Sequence, residues 1–299
     1  MNYYLAIDIG GTFIKYGLLD NDGNVVEKGK IPTNQTDKEV IMNGLHEAYM
    51  MYKDRGIKGI AMSVPGLIDV EHGIMITSGA CTALMGCHMS EELSALCDGI
   101  PVSVENDGKA AALAEAWKGA AKDVPNCCVL GFGTGIAGAT IINKKALRGN
   151  HLIAGEMSAF PIPTSYKEVK PVQMAFKYST ITVCTRASEA IGEEVDGIKL
   201  MKLYKEGNEA IVDIMEDWFY NIAILCHQLA LTVDPDVICI GGGISADPAF
   251  TAGIQKWVHE IYTNGGYWFL EPKVATCQFS NDSNMIGALY NFKQLYEGE

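Results

Sequence analysis

The sequence predicts an α/β protein built from two related halves, each with parallel strands. Three observations carry this. Apolar strand segments alternate with helical periodicity along the chain. An apolar strand, a Gly/Thr turn and an apolar return strand occur twice, at Gly10-Gly11-Thr12 and at Gly133-Thr134-Gly135. The composition, 48% hydrophobic and 20% charged over 299 residues, is that of a chain that buries a core, which excludes a largely disordered one.

In order, Leu5-Ala6-Ile7 is a short apolar strand ending at Asp8, and Phe13 to Leu19 is the return strand. Asn21-Asp22-Gly23-Asn24 carries tight-turn chemistry, and Val25-Val26 opens a third strand. Ile41, Leu45, Ala48 and Tyr52 fall on one face of a helix from about Lys38 to Lys53. Ile57 to Val64 is a buried strand closed by Pro65-Gly66. Val102-Ser103-Val104 leads through Glu105-Asn106-Asp107 into a helix with Ala110, Ala111, Leu113, Ala114 and Trp117 as its apolar residues. After a boundary near Lys118–Val124 the pattern restarts. Cys127 to Leu130 and Ala137 to Ile142 flank the second turn, Asn143-Lys144-Lys145 turns the chain, and Ala146-Leu147 starts another strand. Helical stretches follow from about Gln173 to Ile191 and from Asn208 to Thr232. Val237 to Ile240 is a buried strand ending in Gly241-Gly242-Gly243. A helix over Ala249–Tyr262, a strand over Lys273–Phe279 and a last helix over Asn284–Tyr296 complete the chain.

Thirty-six acidic against 23 basic residues leave a net charge of −13, a poor match for nucleic-acid backbones, so no nucleic-acid partner is expected. No apolar run approaches the roughly 20 residues needed to span a bilayer, and Met1-Asn2-Tyr3-Tyr4 has no secretion signature; a cytoplasmic protein without a membrane partner is expected. The nine cysteines (81, 87, 97, 127, 128, 184, 226, 239, 277) never form a C-x-x-C pair and read as reduced, mostly buried thiols.

The motifs that carry chemistry lie at strand ends. In Asp8-Ile9-Gly10-Gly11-Thr12-Phe13-Ile14-Lys15 the glycines let the backbone approach a ligand and aim N–H groups into one concavity, which suits phosphate oxygens. Thr12 adds a hydroxyl, Lys15 a charge, and Asp8 can hold a metal through water. No helix follows the glycines at once, so this is neither a P-loop nor a dinucleotide fingerprint. Gly133-Thr134-Gly135 alone reads as a flexible hairpin; in a duplicated architecture it becomes a second phosphate clamp. Asp107, opening a helix, is a good capping residue and also a carboxylate able to take a proton from an attacking hydroxyl; Asn106 can bind a polyol. Ala154-Gly155-Glu156 offers another carboxylate after a loop holding Arg148, Gly149 and His151, although a surface Glu is the commoner case. Gly241-Gly242-Gly243 suits close approach of a base or ribose, or simply a helix entry.

Taken in order, Asp8 to Lys15, Pro65-Gly66, Glu105-Asn106-Asp107, Gly133-Thr134-Gly135, Ala154-Gly155-Glu156 and Gly241 to Gly243 resemble the ROK family, mostly bacterial sugar kinases of the actin-like ATPase superfamily. The resemblance implies two ribonuclease-H-like domains, about 1–119 on the sugar side and 120–299 on the nucleotide side, with an interdomain cleft and a C-terminal helix over about 284–297 that packs back on the first. It implies ATP and Mg²⁺ as cofactors, with Gly10, Gly11, Thr12 and Lys15 at the ATP phosphates, Asp8 near Mg²⁺, Gly133, Thr134 and Gly135 as the second clamp, and Gly242 and Gly243 beside the adenosine. Gly66, Gly79, Asn106 and Glu156 fall where family members line the sugar, and Asp107 matches the catalytic aspartate. A homodimer is what the family suggests.

Two departures stand out. Most of the family follow the Gly-Glu pair with a glycine and a zinc-binding histidine; here the run is Gly155-Glu156-Met157-Ser158-Ala159. The family's dense cysteine motif is also missing, Cys184 being the one cysteine between Glu156 and Arg186. No structural zinc is expected, and the chain resembles the zinc-less subset that includes β-glucoside kinase-like proteins. The expected activity is ATP-dependent phosphorylation of a hexose or hexoside primary hydroxyl, O6, with glucose, N-acetylmannosamine or a β-glucoside as candidates. The alternatives are a sugar-responsive repressor, for which Asp8 leaves no room ahead for a DNA-binding segment, and a non-catalytic sugar sensor. An acetate-kinase-like acyl phosphotransferase would not need the Glu-Asn-Asp arrangement.

Overall fold

The computed structural model describes residues 2–162 and 172–298. It contains two compact units. One comprises Met1–Trp117, Arg148–Ile153 and Asn281–Glu299; the other comprises Lys118–Leu147 and Ala154–Ser280.

The first unit opens with β1 (Tyr3–Ile9), β2 (Phe13–Asp20) and β3 (Val25–Pro32), followed by α1 (Lys38–Tyr52) and β4 (Ile57–Val64). A hairpin of two-residue strands, β5 (Ile68–Asp69) and β6 (Ile74–Met75), precedes α2 (Met89–Leu96), β7 (Val102–Asn106) and α3 (Asp107–Lys118). The sheet order is β3-β2-β1-β4-β7, antiparallel across the first three strands and parallel across β1, β4 and β7. Burial follows position. β1, in the middle, is buried from Tyr4 to Ile9, as a strand covered on both faces must be, whereas edge strand β3 leaves Glu27, Lys28 and Lys30 exposed. Asp37 starts α1 by accepting the N–H groups of Glu39 and Val40.

The second unit contains β8 (Cys127–Phe132), β9 (Ile136–Ile142), β10 (Lys145–Ala146), β11 (Pro161–Ile162), β12 (Val172–Gln173), α4 (Met174–Tyr178), α5 (Thr180–Ile191), α6 (Gly197–Lys205), α7 (Glu209–Val233), β13 (Val237–Gly241), α8 (Pro248–Asn264) and β14 (Val274–Thr276). Its sheet order, β10-β9-β8-β13-β14, repeats the first sheet strand for strand, with the same antiparallel and parallel pairs. The duplicated turn pattern is thus a duplicated topology. The core centres on Phe132, Trp218, Phe219 and Phe250, whose rings meet edge-to-face, and the Trp218 indole N–H donates to Tyr178 O at 2.9 Å.

The last helix, α9 (Ser283–Tyr296), packs on β1, β4 and β7 of the first unit and is buried from Met285 to Lys293.

The helical stretch expected over Gln173–Ile191 is two helices. Ser179 between α4 and α5 is extended (φ −71°, ψ 156°), and its hydroxyl accepts the Thr182 N–H, so a residue that competes for backbone bonds breaks the run and caps the second piece. Eight of the nine cysteines are buried and all are free thiols. Among the described residues no helix is long and apolar enough to cross a membrane.

Candidate active site

Three parallel strands of the first unit, β1, β4 and β7, end at one edge of the sheet, and the candidate residues Asp8, Asn106 and Asp107 lie there. Asp8 on β1 is in register with Ser63 on β4, and Ser63 with Glu105 on β7. The carboxyl edge of parallel strands is where α/β sheets place ligands, because the chain turns away from it on both faces.

Asp8 is 5% exposed. Its Oδ1 accepts from Ser63 Oγ at 3.0 Å and from Asn284 Nδ2 at 2.9 Å; Oδ2 faces Lys15 Nζ at 3.4 Å. The turn after it is held from one side. Thr33 donates its hydroxyl to Gly10 O at 2.7 Å and its N–H to Thr12 O at 3.0 Å, and Gln35 Nε2 donates to Gly11 O at 2.7 Å. The three carbonyls that would repel a phosphate are thereby engaged, and residues 11–13 stay exposed.

Around β7 the side chains interlock. Asn106 Oδ1 accepts the Lys109 N–H at 3.0 Å, so Asn106, not Asp107, caps α3. Asp107 is the first helical residue; its Oδ1 accepts from Gly108 N at 2.8 Å and Asn106 Nδ2 at 3.0 Å. The same Asn106 amide donates to Gly66 O at 2.9 Å. Gly66 has φ +104°, and a Cβ there would lie 2.3 Å from Thr77 O, so only glycine fits and the carbonyl is aimed at Asn106. Gly79 packs on Pro65 beside it. Gly66, Gly79, Asn106 and Asp107 are therefore one group.

Beneath them, fully buried Glu105 accepts the Asn106 N–H at 2.9 Å and pairs with the Arg148 guanidinium, which also donates to Asn291 Oδ1 at 3.1 Å. Burial pushes the Glu105 carboxyl up, opposed by Arg148 and Lys109.

In the second unit, Gly133, Thr134 and Gly243 line a pocket of about 870 Å³, within the size range of small-molecule sites. Nothing lies within 4 Å of a Cβ built on Gly133, Gly135 or Gly243, so packing does not demand glycine there; the turns keep open space. Gly242 is demanded: its φ is +94°, and a Cβ would meet Phe132 O at 2.0 Å. The pocket's apolar walls include Ile181, Ile198, Met201 and Ile244. Lys205 Nζ and Asp247 Oδ2 close its rim at 2.6 Å, and the lysine holds the Asp247 carboxyl below its usual range. Glu156 is not part of this lining. It precedes a short turn whose Met157 is buried and packs against Gly138 of β9.

Sequence reasoning missed Ser63 and Asn284 as partners of Asp8, Arg148 as partner of Glu105, and α6 as a pocket wall. Asn284 sits 276 residues from Asp8, so no local signal marks the pair.

Residues 4–295 match the ROK family. The chain is 29% identical over 301 residues to a β-glucoside kinase of Klebsiella pneumoniae, spanning 97% of this chain and 96% of that protein. It is 28% identical over 257 residues to an N-acetyl-D-glucosamine kinase of Aliivibrio fischeri, spanning 81% and 84%. Among solved structures, a ROK family protein from Streptococcus pneumoniae TIGR4 in complex with sucrose is similar at TM-score 0.90 and 30% identity, over 99% of this chain and 100% of that one.

Proposed function

The chain belongs to the ROK family, and from that premise we propose that it is an ATP-dependent sugar kinase acting on a primary hydroxyl, O6, of a hexose or hexoside. The observation that carries this reading is the Asp107 arrangement. A half-buried carboxylate stands at the first residue of α3, with one oxygen pinned by Gly108 and Asn106 and its neighbour Asn106 fixed by Gly66. A carboxylate so fixed orients a hydroxyl and takes its proton as the oxygen attacks. The new bond joins that oxygen to the γ-phosphorus, the bond to the β–γ bridging oxygen breaks, and ADP leaves with the electron pair.

In this reading the Gly10–Thr12 turn and Lys15 act on the phosphates, and the pocket bounded by Gly133, Thr134 and Gly243 takes the nucleoside, with Gly135 and Gly242 shaping its turns. A cation carried by the phosphates needs only one or two protein carboxylates, and Asp8 beside the turn fits that need. Mg²⁺ held there would supply charge neutralisation on the transferred group. Gly66, Gly79, Asn106 and Glu156 are assigned to the sugar.

The run Met157-Ser158-Ala159 after Glu156 lacks the glycine and histidine that most of the family carry after this Gly-Glu pair, and Met157 is buried. A site with fewer polar groups near C1 tolerates a substituent there. The names of the β-glucoside kinase relative and of the sucrose-bound neighbour support a glycoside or disaccharide substrate. Phosphorus NMR of the products from glucose and from cellobiose-type β-glucosides tests this. Phosphorylation at O6 of the glycosides is expected; strong preference for free glucose would overturn the glycoside assignment.

A further inference from the structure

We infer that Asn284 is a positioning residue for the phosphate-side carboxylate: with Ser63 it commits one oxygen of Asp8 to the protein and turns the other toward the nucleotide's phosphates and their cation. The inference rests on the kinase reading above and deepens it.

The two oxygens of Asp8 have different surroundings. Oδ1 accepts two well-formed bonds, from Ser63 Oγ at 3.0 Å and Asn284 Nδ2 at 2.9 Å, while Oδ2 has, among the described residues, only the long approach of Lys15 Nζ at 3.4 Å, whose side chain is 42% exposed. A carboxylate only accepts, so the amide of Asn284 must present its NH₂ group and its orientation is fixed by chemistry. Rotating the Asp8 carboxylate would break both bonds at Oδ1 in a site that is 5% exposed, where water cannot readily replace them.

Both donors stand on rigid elements. Ser63 is in β4, paired on both sides by β1 and β7, and is fully buried. Asn284 is the second residue of α9, just ahead of the run from Met285 to Lys293 that is buried on the sheet. The entry to α9 is tied down as well, Lys28 Nζ reaching the two carboxylate oxygens of Asp282 at 3.0 and 2.9 Å. The last helix of the chain thus holds the first motif of the chain in register.

The test uses the full-length protein and a non-hydrolysable ATP analogue with Mg²⁺, titrated by calorimetry into the wild type, Asn284→Ala and Ser63→Ala, with the sugar KM and the melting temperature measured alongside. A hydrogen bond to a charged group accounts for about tenfold in affinity. Each variant is therefore expected to bind the Mg²⁺–nucleotide about tenfold more weakly and to need more Mg²⁺ for half-saturation, with the sugar KM unchanged within about twofold. Unchanged nucleotide affinity in both variants would overturn the inference while leaving the kinase reading intact. So would nucleotide and sugar constants that worsen together, the mark of a merely structural role. If Asn284→Ala does not fold, Ser63→Ala, which touches the same oxygen from a different element, decides alone. A wild type that binds no nucleotide would overturn the kinase reading itself, and this inference with it.

Discussion

Replacing Arg148 by Met should destabilise the first unit by about 3 kcal/mol at pH 8. Glu105 is fully buried, and its carboxylate is compensated by a guanidinium whose side chain is 28% exposed. Breaking a buried pair from one side costs about 3–5 kcal/mol because the remaining charge is left uncompensated; the partial exposure of Arg148 places this pair at the lower end. At roughly 2–4 °C per kcal/mol, the melting temperature should fall by about 6–12 °C. The loss should depend on pH. Burial raises the Glu105 carboxyl above its ordinary value of 4.5, and Arg148 opposes that rise. A carboxyl raised on folding holds more protons in the folded state, so its contribution to stability falls as pH rises from the unfolded value through the folded one. Removing Arg148 raises the folded value further, so the penalty should be largest at pH 8 and shrink toward pH 5, where Glu105 can protonate. The double variant Glu105→Gln/Arg148→Met should recover most of the loss, since Gln still accepts the Asn106 N–H and no charge is buried. Urea melts of the wild type, both singles and the double at pH 5 and pH 8 give the cycle. A loss below about 1 kcal/mol that is the same at both pH values would mean that Arg148 does not compensate a buried Glu105 charge.

Gly242→Ala should abolish nucleotide binding in calorimetry, because its Cβ would lie 2.0 Å from Phe132 O at φ +94°. Ser103→Ala should leave stability unchanged or raise it by up to about 1 kcal/mol in a thermal melt, since the Ser103 hydroxyl is buried with no hydrogen-bond partner among the described residues. Lys205→Met should change stability by less than about 0.5 kcal/mol, as expected of an ion pair with an exposed lysine, yet raise the KM for ATP several-fold and leave that for sugar alone.

What was legible in the sequence is what local chemistry determines. The runs at Leu5-Ala6-Ile7 and Cys127 to Leu130 announce buried strands because central parallel strands are covered on both faces, and the glycine turns after each announce the duplication. Helices α2 and α6 escaped because eight or nine residues carry too few periods to read. The cap of α3 was misplaced by one residue: Asn and Asp are both good caps, and which of two adjacent ones faces the third helical N–H depends on where β7 ends. The glycines and carboxylates of the site were visible as residue types. Their supports, Ser63, Asn284 and Arg148, were not, since each acts across the sheet edge on a partner far away in sequence. Residues 163–171 lie outside the described residues, and the missing cysteine motif was read from the sequence around them.

Asp107-driven phosphoryl transfer to a sugar is read out by ADP release. The wild type and Asp107→Asn would be compared with ATP and Mg²⁺ across glucose, mannose, N-acetylmannosamine, N-acetylglucosamine, fructose, allose and cellobiose-type β-glucosides. Sugar-dependent turnover is expected, falling by about 10²–10⁴ in Asp107→Asn, the scale of losing a general base. Turnover that is independent of sugar, or near-normal turnover in the variant, would contradict it.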